Sequence, residues 1–148
     1  MARIRKILHA TDFSKASARA LNEAVELAKQ NRAELVIVHV IEPTPYVAGD
    51  ELGTADIYTK LEETAKQDAE ASMSKLLKRL KKSNIKVQGF LLMGSVDDQI
   101  VNAAKSKKAN MIVIGTHGRT GLSKLLMGSV ASKVISLATC PVLTVRGK

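Results

Sequence analysis

With 148 residues, 45% of them apolar, the chain is long enough to bury a real core, and one domain spanning residues 1–148 is expected. Aromatic residues amount to only 3%, with no tryptophan, so aliphatic side chains must fill that core. The formal charge of +9, from 23 basic and 14 acidic residues, attracts anions, while a single cysteine excludes an internal disulfide.

The first residues, Met1 to Asp12, carry charges but no continuous apolar stretch, so no signal peptide is read there. Ile4 to Ala10 reads as a first strand, followed at once by Thr11, Asp12, Phe13 and Ser14. Ser14 suits the N-cap of a helix. Beyond it Ala18, Leu21, Ala24, Val25 and Ala28 recur at helical spacing, and the helix should end near Asn31. Glu34 to Glu42 is almost uninterrupted β-branched residue and predicts a central strand covered on both faces. His9 and His39 fall inside these strands, where structural roles are expected. Pro43 and Pro45 end the second strand. Tyr46 to Asp56, with Gly49 and Gly53, reads as a long, mobile loop.

From Ile57 to Lys82 the pattern is helical, with acidic residues early and basic ones late, as the helix dipole favours. Lys75, Lys78, Arg79, Lys81 and Lys82 form the densest basic cluster, opposite Met73, Leu76, Leu77 and Leu80. The expectation is a solvated helix face. Nucleic-acid binding usually adds stacking aromatics or a recognition motif, and the chain has neither, so no such partner is expected. Ile85 to Met93 predicts a third strand, Gly94 and Ser95 a turn and cap, and Val96 to Ser106 a short helix. Met111 to Ile114 reads as a fourth strand. Ser129 should cap a helix running to Leu137, and Pro141 to Arg146 forms a last strand. Cys140 reads as a small buried hydrophobe. No apolar run approaches the roughly 20 residues of a membrane helix, so a cytoplasmic protein without a membrane partner is expected.

Strands alternating with helices argue parallel βαβ units in an open, doubly wound sheet with helices on both faces. Between the fourth strand and the last helix lie Gly115, Gly118, Gly121 and Gly128, followed by Ser129. Glycines that bring backbone N–H groups close to a ligand, just before a helix N-terminus, form an anion site suited to phosphate. The spacing is not that of a Walker A loop, and no two glycines are separated by one residue as in the dinucleotide fingerprint.

The pattern Gly115, two residues, Gly118, nine residues, Gly128, Ser129 resembles the signature of the ATP-binding branch of the universal stress protein family. The resemblance covers the whole chain. It includes A-T-D-F-S after the first strand, V-H-V-I-E-P at the end of the second, and C-P-V-L-T-V near the end. It implies a Rossmann-like five-stranded sheet in the order 3-2-1-4-5. The reversal then falls between strands one and four, where ligands of open α/β sheets bind.

The resemblance implies ATP at that point, held by Ala10, Thr11, Asp12, Val40, Ile114, Gly115, His117, Gly118, Arg119, Gly128, Ser129 and Val130. Asp12 would face the ribose hydroxyls, with capping of the first helix turn as its ordinary alternative. The Val40 backbone would pair with adenine. Phosphates would lie on the N–H groups around the glycines, with Arg119 and Lys124 adding charge. His117 would touch phosphate or cap local backbone. Mg²⁺ would arrive with the nucleotide, held by its oxygens and water, and no dedicated protein metal cage is expected. The functional expectation is a nucleotide-dependent stress-response or signalling module. A slow ATPase or phosphotransferase on the same site is the alternative; the cradle is readable, but no general base is. A homodimer through Pro141–Arg146 is expected, because that strand would be a sheet edge with no charge from Val142 to Val145.

Overall fold

The computed structural model describes residues 3–44, 55–117 and 127–147. Nine elements alternate along the chain: β1 (Lys6–Ala10), α1 (Lys15–Asn31), β2 (Glu34–Ile41), α2 (Ala55–Lys81), β3 (Val87–Met93), α3 (Val96–Ser106), β4 (Met111–Gly115), α4 (Ser129–Leu137) and β5 (Val142–Val145). All strand pairs are parallel, and the sheet order is β3-β2-β1-β4-β5, as expected.

Side-chain alternation along the strands sorts the core into two layers. Ile7, Leu35, Ile37 and Val113 face α1 and α2, meeting Leu21, Ala24, Met73 and Leu80. Leu8, Val36, Val38, Ile112 and Ile114 face α3 and α4, meeting Ile100, Val101, Ala131 and Val134. Four consecutive residues of β2, Leu35 to Val38, are therefore buried, as a strand covered on both faces requires.

The element boundaries differ at several points. β1 and β3 begin two residues after Ile4 and Ile85, and both isoleucines pack on the α1–α2 core from outside the ladder. Hydrophobicity there reports burial rather than pairing. β5 is likewise trimmed to Val142–Val145. α2 begins at Ala55, so the last two residues of the expected loop are helical; Tyr46 to Thr54 lie outside the described residues. Ser14 caps α1 as expected, accepting the Ser17 N–H at 3.2 Å. Ser95 occupies the cap position of α3, but its hydroxyl donates to the Asp97 carboxylate at 2.8 Å instead of serving the helix backbone. Ser129 is already the first residue of α4, and Gly128 is the cap.

Candidate functional site

β1 ends at Ala10 and β4 at Gly115, and the two strands are neighbours where the sheet order reverses. A cavity of about 680 Å³ opens there, of a size usual for small-molecule sites. Ala10, Thr11, Asp12, Val40, Ile114, Gly115, His117, Gly128, Ser129 and Val130 all line it. The structure thus brings together every expected site residue that it describes. Gly118, Arg119 and Lys124 lie outside the described residues.

The wall after β1 is a tight turn tied by its own side chains. Thr11 Oγ1 accepts the Phe13 N–H and Asp12 Oδ1 accepts the Ser14 N–H, both at 2.9 Å. Phe13 sits at φ 62°, a left-handed conformation that a bulky residue seldom adopts without external support. Its ring lies 4.6 Å from that of His39, which also lines the cavity. Asp12 therefore holds the turn that leads into α1, as its ordinary alternative required, while facing the crevice.

Val40 enters through its backbone. Glu34 N–H donates to Arg5 and the Val38 carbonyl accepts from Thr11, so even-numbered residues of β2 turn their peptide groups toward β1. Val40 is the next such residue, and β1 has ended beside it.

The opposite wall is made where Gly128 crosses the end of β4. Its N–H donates to the Thr116 carbonyl at 2.7 Å, and a Cβ on Gly128 would stand 2.9 Å from that same oxygen. Only glycine permits this approach, which sets the N-terminus of α4 against the crevice. The first N–H groups of a helix lack intrahelical partners and carry partial positive charge. The Thr116 hydroxyl and His117 Nδ1 lie 3.0 Å apart, so these neighbouring side chains hold one another at the end of β4.

One wall has no counterpart in the sequence reading. Ala65, Asp68, Ala69 and Ser72 of α2 also line the cavity, with Glu42 at the end of β2. α2 packs on the sheet through Ala69, Met73 and Leu80, and its stretch around Ala69 borders the crevice. A helix pattern says how a helix is faced, not which cavity it borders.

His9 is fully buried on the α1 side of β1, donating Nδ1–H to the Val113 carbonyl at 2.9 Å. Burial pulls its pKa from 6.5 to about 4, so the imidazole is neutral. Cys140 packs against the α3–α4 core but is only partly buried, less enclosed than expected, and that partial burial pushes its thiol up. Among the described residues no group of three or more His, Cys, Asp or Glu side chains converges to hold a metal ion.

The model of the universal stress protein family matches residues 3–146. The universal stress protein MJ0531 of Methanocaldococcus jannaschii is 35% identical over 96% of this chain and 82% of its own length. The solved structure of MJ0577 from the same organism superposes with a TM-score of 0.87 at 28% identity, covering 99% of both chains. A universal stress protein of Archaeoglobus fulgidus, solved in complex with dAMP, superposes with a TM-score of 0.65 at 26% identity, covering 97% of this chain and 98% of that one.

Proposed function

Because the chain belongs to the universal stress protein family, we propose that it is an ATP-binding member whose nucleotide occupancy is a signal in a stress response. The observation that carries this reading is the convergence of Ala10–Asp12, Val40, Ile114–His117 and Gly128–Val130 on one cavity. The base is assigned to the Val40 edge of β2, where the peptide group turns toward the side on which β1 has ended. The ribose is assigned to Asp12. The phosphates are assigned to the N-terminus of α4 and the glycine loop, including Gly118 and Arg119. The dAMP held by the Archaeoglobus fulgidus protein supports an adenine nucleotide on this fold. Mg²⁺ would come with the triphosphate.

Phosphoryl transfer needs a positioned nucleophile as well as a cradle. Asp12 already serves the turn through Ser14, so we expect hydrolysis to be slow at most. An ATPase or phosphotransferase is the competing reading. Turnover near the usual enzyme rate of ~10 per second, lost in a single-loop variant, would establish it.

We further place the chain in the cytoplasm, as one domain and as a homodimer through β5. No helix among the described residues is long and apolar enough to cross a membrane. Beside the edge strand, Leu143 of β5 and Ile135 and Leu137 of α4 remain exposed, an apolar border that a second copy would cover.

Titration calorimetry with ATP, together with mass spectrometry of small molecules released from the purified protein, tests the nucleotide. Micromolar affinity is expected, about −8 kcal/mol. No heat with ATP, and no nucleotide released, would overturn the proposal.

A further inference from the structure

The sheet order leaves two outer strands, β5 and β3, and β3 is the longer, at seven residues against four. Its inner side is taken by the ladder to β2, which runs unbroken from Leu35 opposite Val87 to Ile41 opposite Met93. Leu35 N–H donates to the Lys86 carbonyl at 2.9 Å and Gly94 N–H to that of Ile41 at 3.1 Å, so even-numbered residues turn their peptide groups toward β2. Val87, Gly89, Leu91 and Met93 turn theirs outward, and among the described residues no further strand pairs with them. Edge strands that avoid partners are kept short, or carry a charge, a proline or a bulge. From Val87 to Met93 β3 has neither charge nor proline, and its unbroken register has no bulge.

Beside this edge α2 forms a groove. Gly89 lets the helix come close: a Cβ there would stand 2.7 Å from Met73 Sδ and 2.9 Å from Leu77 Cδ1. A groove of about 380 Å³ runs along the contact, with Met73, Leu77 and Leu91 as its apolar floor and Glu70, Lys78 and Lys81 on its walls. It shares no lining residue with the crevice. The charges are sorted along its length. Only residues 82–86 separate α2 from β3, which sets Lys78 and Lys81 near the start of the strand and Glu70 toward its end. Both lysines are exposed, and among the described residues neither has an ion-pair partner.

We propose that β3 and this groove bind an extended acidic peptide of another protein, added to the sheet as a sixth strand. Such strand addition draws affinity from main-chain bonds and specificity from pockets for alternate side chains. Here the outward peptide groups of β3 supply the bonds. Val87, Gly89 and Leu91 face α2, so every second side chain of the added strand meets the groove. Antiparallel pairing is slightly the more stable. It places apolar residues of the peptide over Met73 and Leu91, and acids at its C-terminal end beside Lys78 and Lys81. A second copy of this chain is a poorer occupant. From Glu70 to Lys82 the helix carries five cations and one acid, and self-pairing would set that excess against its like. The proposal depends neither on ATP nor on the dimer through β5, which uses the opposite edge of the sheet.

The test is fluorescence anisotropy of the full chain with a labelled peptide, Val-Thr-Val-Thr-Glu-Thr-Glu, and with its counterpart bearing lysine for glutamate. The acidic peptide should bind roughly tenfold more tightly. Lys78→Glu/Lys81→Glu should reverse that preference with an unchanged circular dichroism spectrum. In the antiparallel register the peptide's valine and glutamate N–H groups face β3 and its threonine N–H groups face away. N-methylation of the valines and glutamates should therefore abolish binding, while N-methylation of the threonines should leave it in place. No binding by the acidic peptide would overturn the proposal, as would equal effects of the two methylations or an unreversed preference in the lysine variant. So would a dimer that survives Thr144→Pro on β5 and excludes the peptide, because a second copy would then hold β3.

Discussion

His39 donates its Nδ1–H to the carbonyl oxygen of Thr11 at 2.7 Å, across the point where β1 has ended and β2 continues. The bond ties the turn that carries Asp12 to the strand that carries Val40, so the proposed sugar and base walls are one unit. The Phe13 ring against His39 adds a second tie. His39→Ala removes both. A loss of about 1 kcal/mol in urea unfolding is expected, since one partly buried hydrogen bond contributes that much. ATP affinity should fall several-fold. A variant with wild-type affinity would show that the tie does not set the site.

The carboxylate of Asp12 has two separable jobs, holding Ser14 N–H and facing the crevice. Asp12→Asn keeps an oxygen for Ser14 while removing the charge. ATP should bind about tenfold more weakly, because the ribose loses a charge-assisted partner. Inorganic tripolyphosphate should bind equally well or better, since a nearby negative charge is gone. Parallel losses in calorimetry for both ligands would count against a ribose role.

At Gly128 the constraint is backbone against backbone. Gly128→Ala sets a methyl group 2.9 Å from the Thr116 carbonyl oxygen, and that oxygen cannot swing aside as a side-chain tip would. The end of β4 and the start of α4 must separate. Overpacking of this kind costs about 1–3 kcal/mol, which chemical denaturation would read. ATP binding should weaken with it. An alanine variant equal to the wild type in both respects would contradict the role given to this crossing.

The strand and helix pattern was legible because burial and pairing coincide over most of the chain. It misled where they part: Ile4 and Ile85 are partly buried against the core without lying in the ladder. The two motif loops could be read because glycine, threonine and aspartate have local reasons to be where they are. Ser129 was misread as a cap because Gly128, which cannot cap through a side chain, holds that position for a contact with Thr116. The α2 wall was not legible, since it arises only when segments distant in sequence meet at the crevice.

His9 should make stability depend on pH. Its pKa is about 4 in the fold and 6.5 as an ordinary histidine, the depression arising from burial. Between those values the unfolded chain takes up a proton that the folded protein refuses. The contribution is therefore complete above pH 6.5 and declines as pH falls toward 4. It amounts to ~3 kcal/mol by proton linkage. Urea midpoints at pH 7 and pH 5 should differ for the wild type and differ less for His9→Gln. Equal pH slopes for the two proteins would remove His9 as the cause.

The proposed dimer needs the outer edge of β5, and the register decides which substitution tests it. Ile112 N–H donates to the Pro141 carbonyl and Thr116 N–H to that of Val145, so residues 141, 143 and 145 turn their peptide groups inward to β4. Val142 and Thr144 turn theirs outward. A proline at Val145 would therefore break the ladder inside one molecule and could not distinguish dissociation from misfolding. Thr144→Pro removes an outward N–H and leaves the inner bonds in place. An edge with unpaired N–H and C=O groups and no charge from Val142 to Val145 is a ready template for a second strand. Two copies about a two-fold axis would pair it antiparallel with itself and close the contact. Sedimentation should give a dimer for the wild type at micromolar concentration and a monomer for Thr144→Pro, with similar circular dichroism. A wild type that sediments as a monomer at high concentration, with or without ATP, would end the proposal.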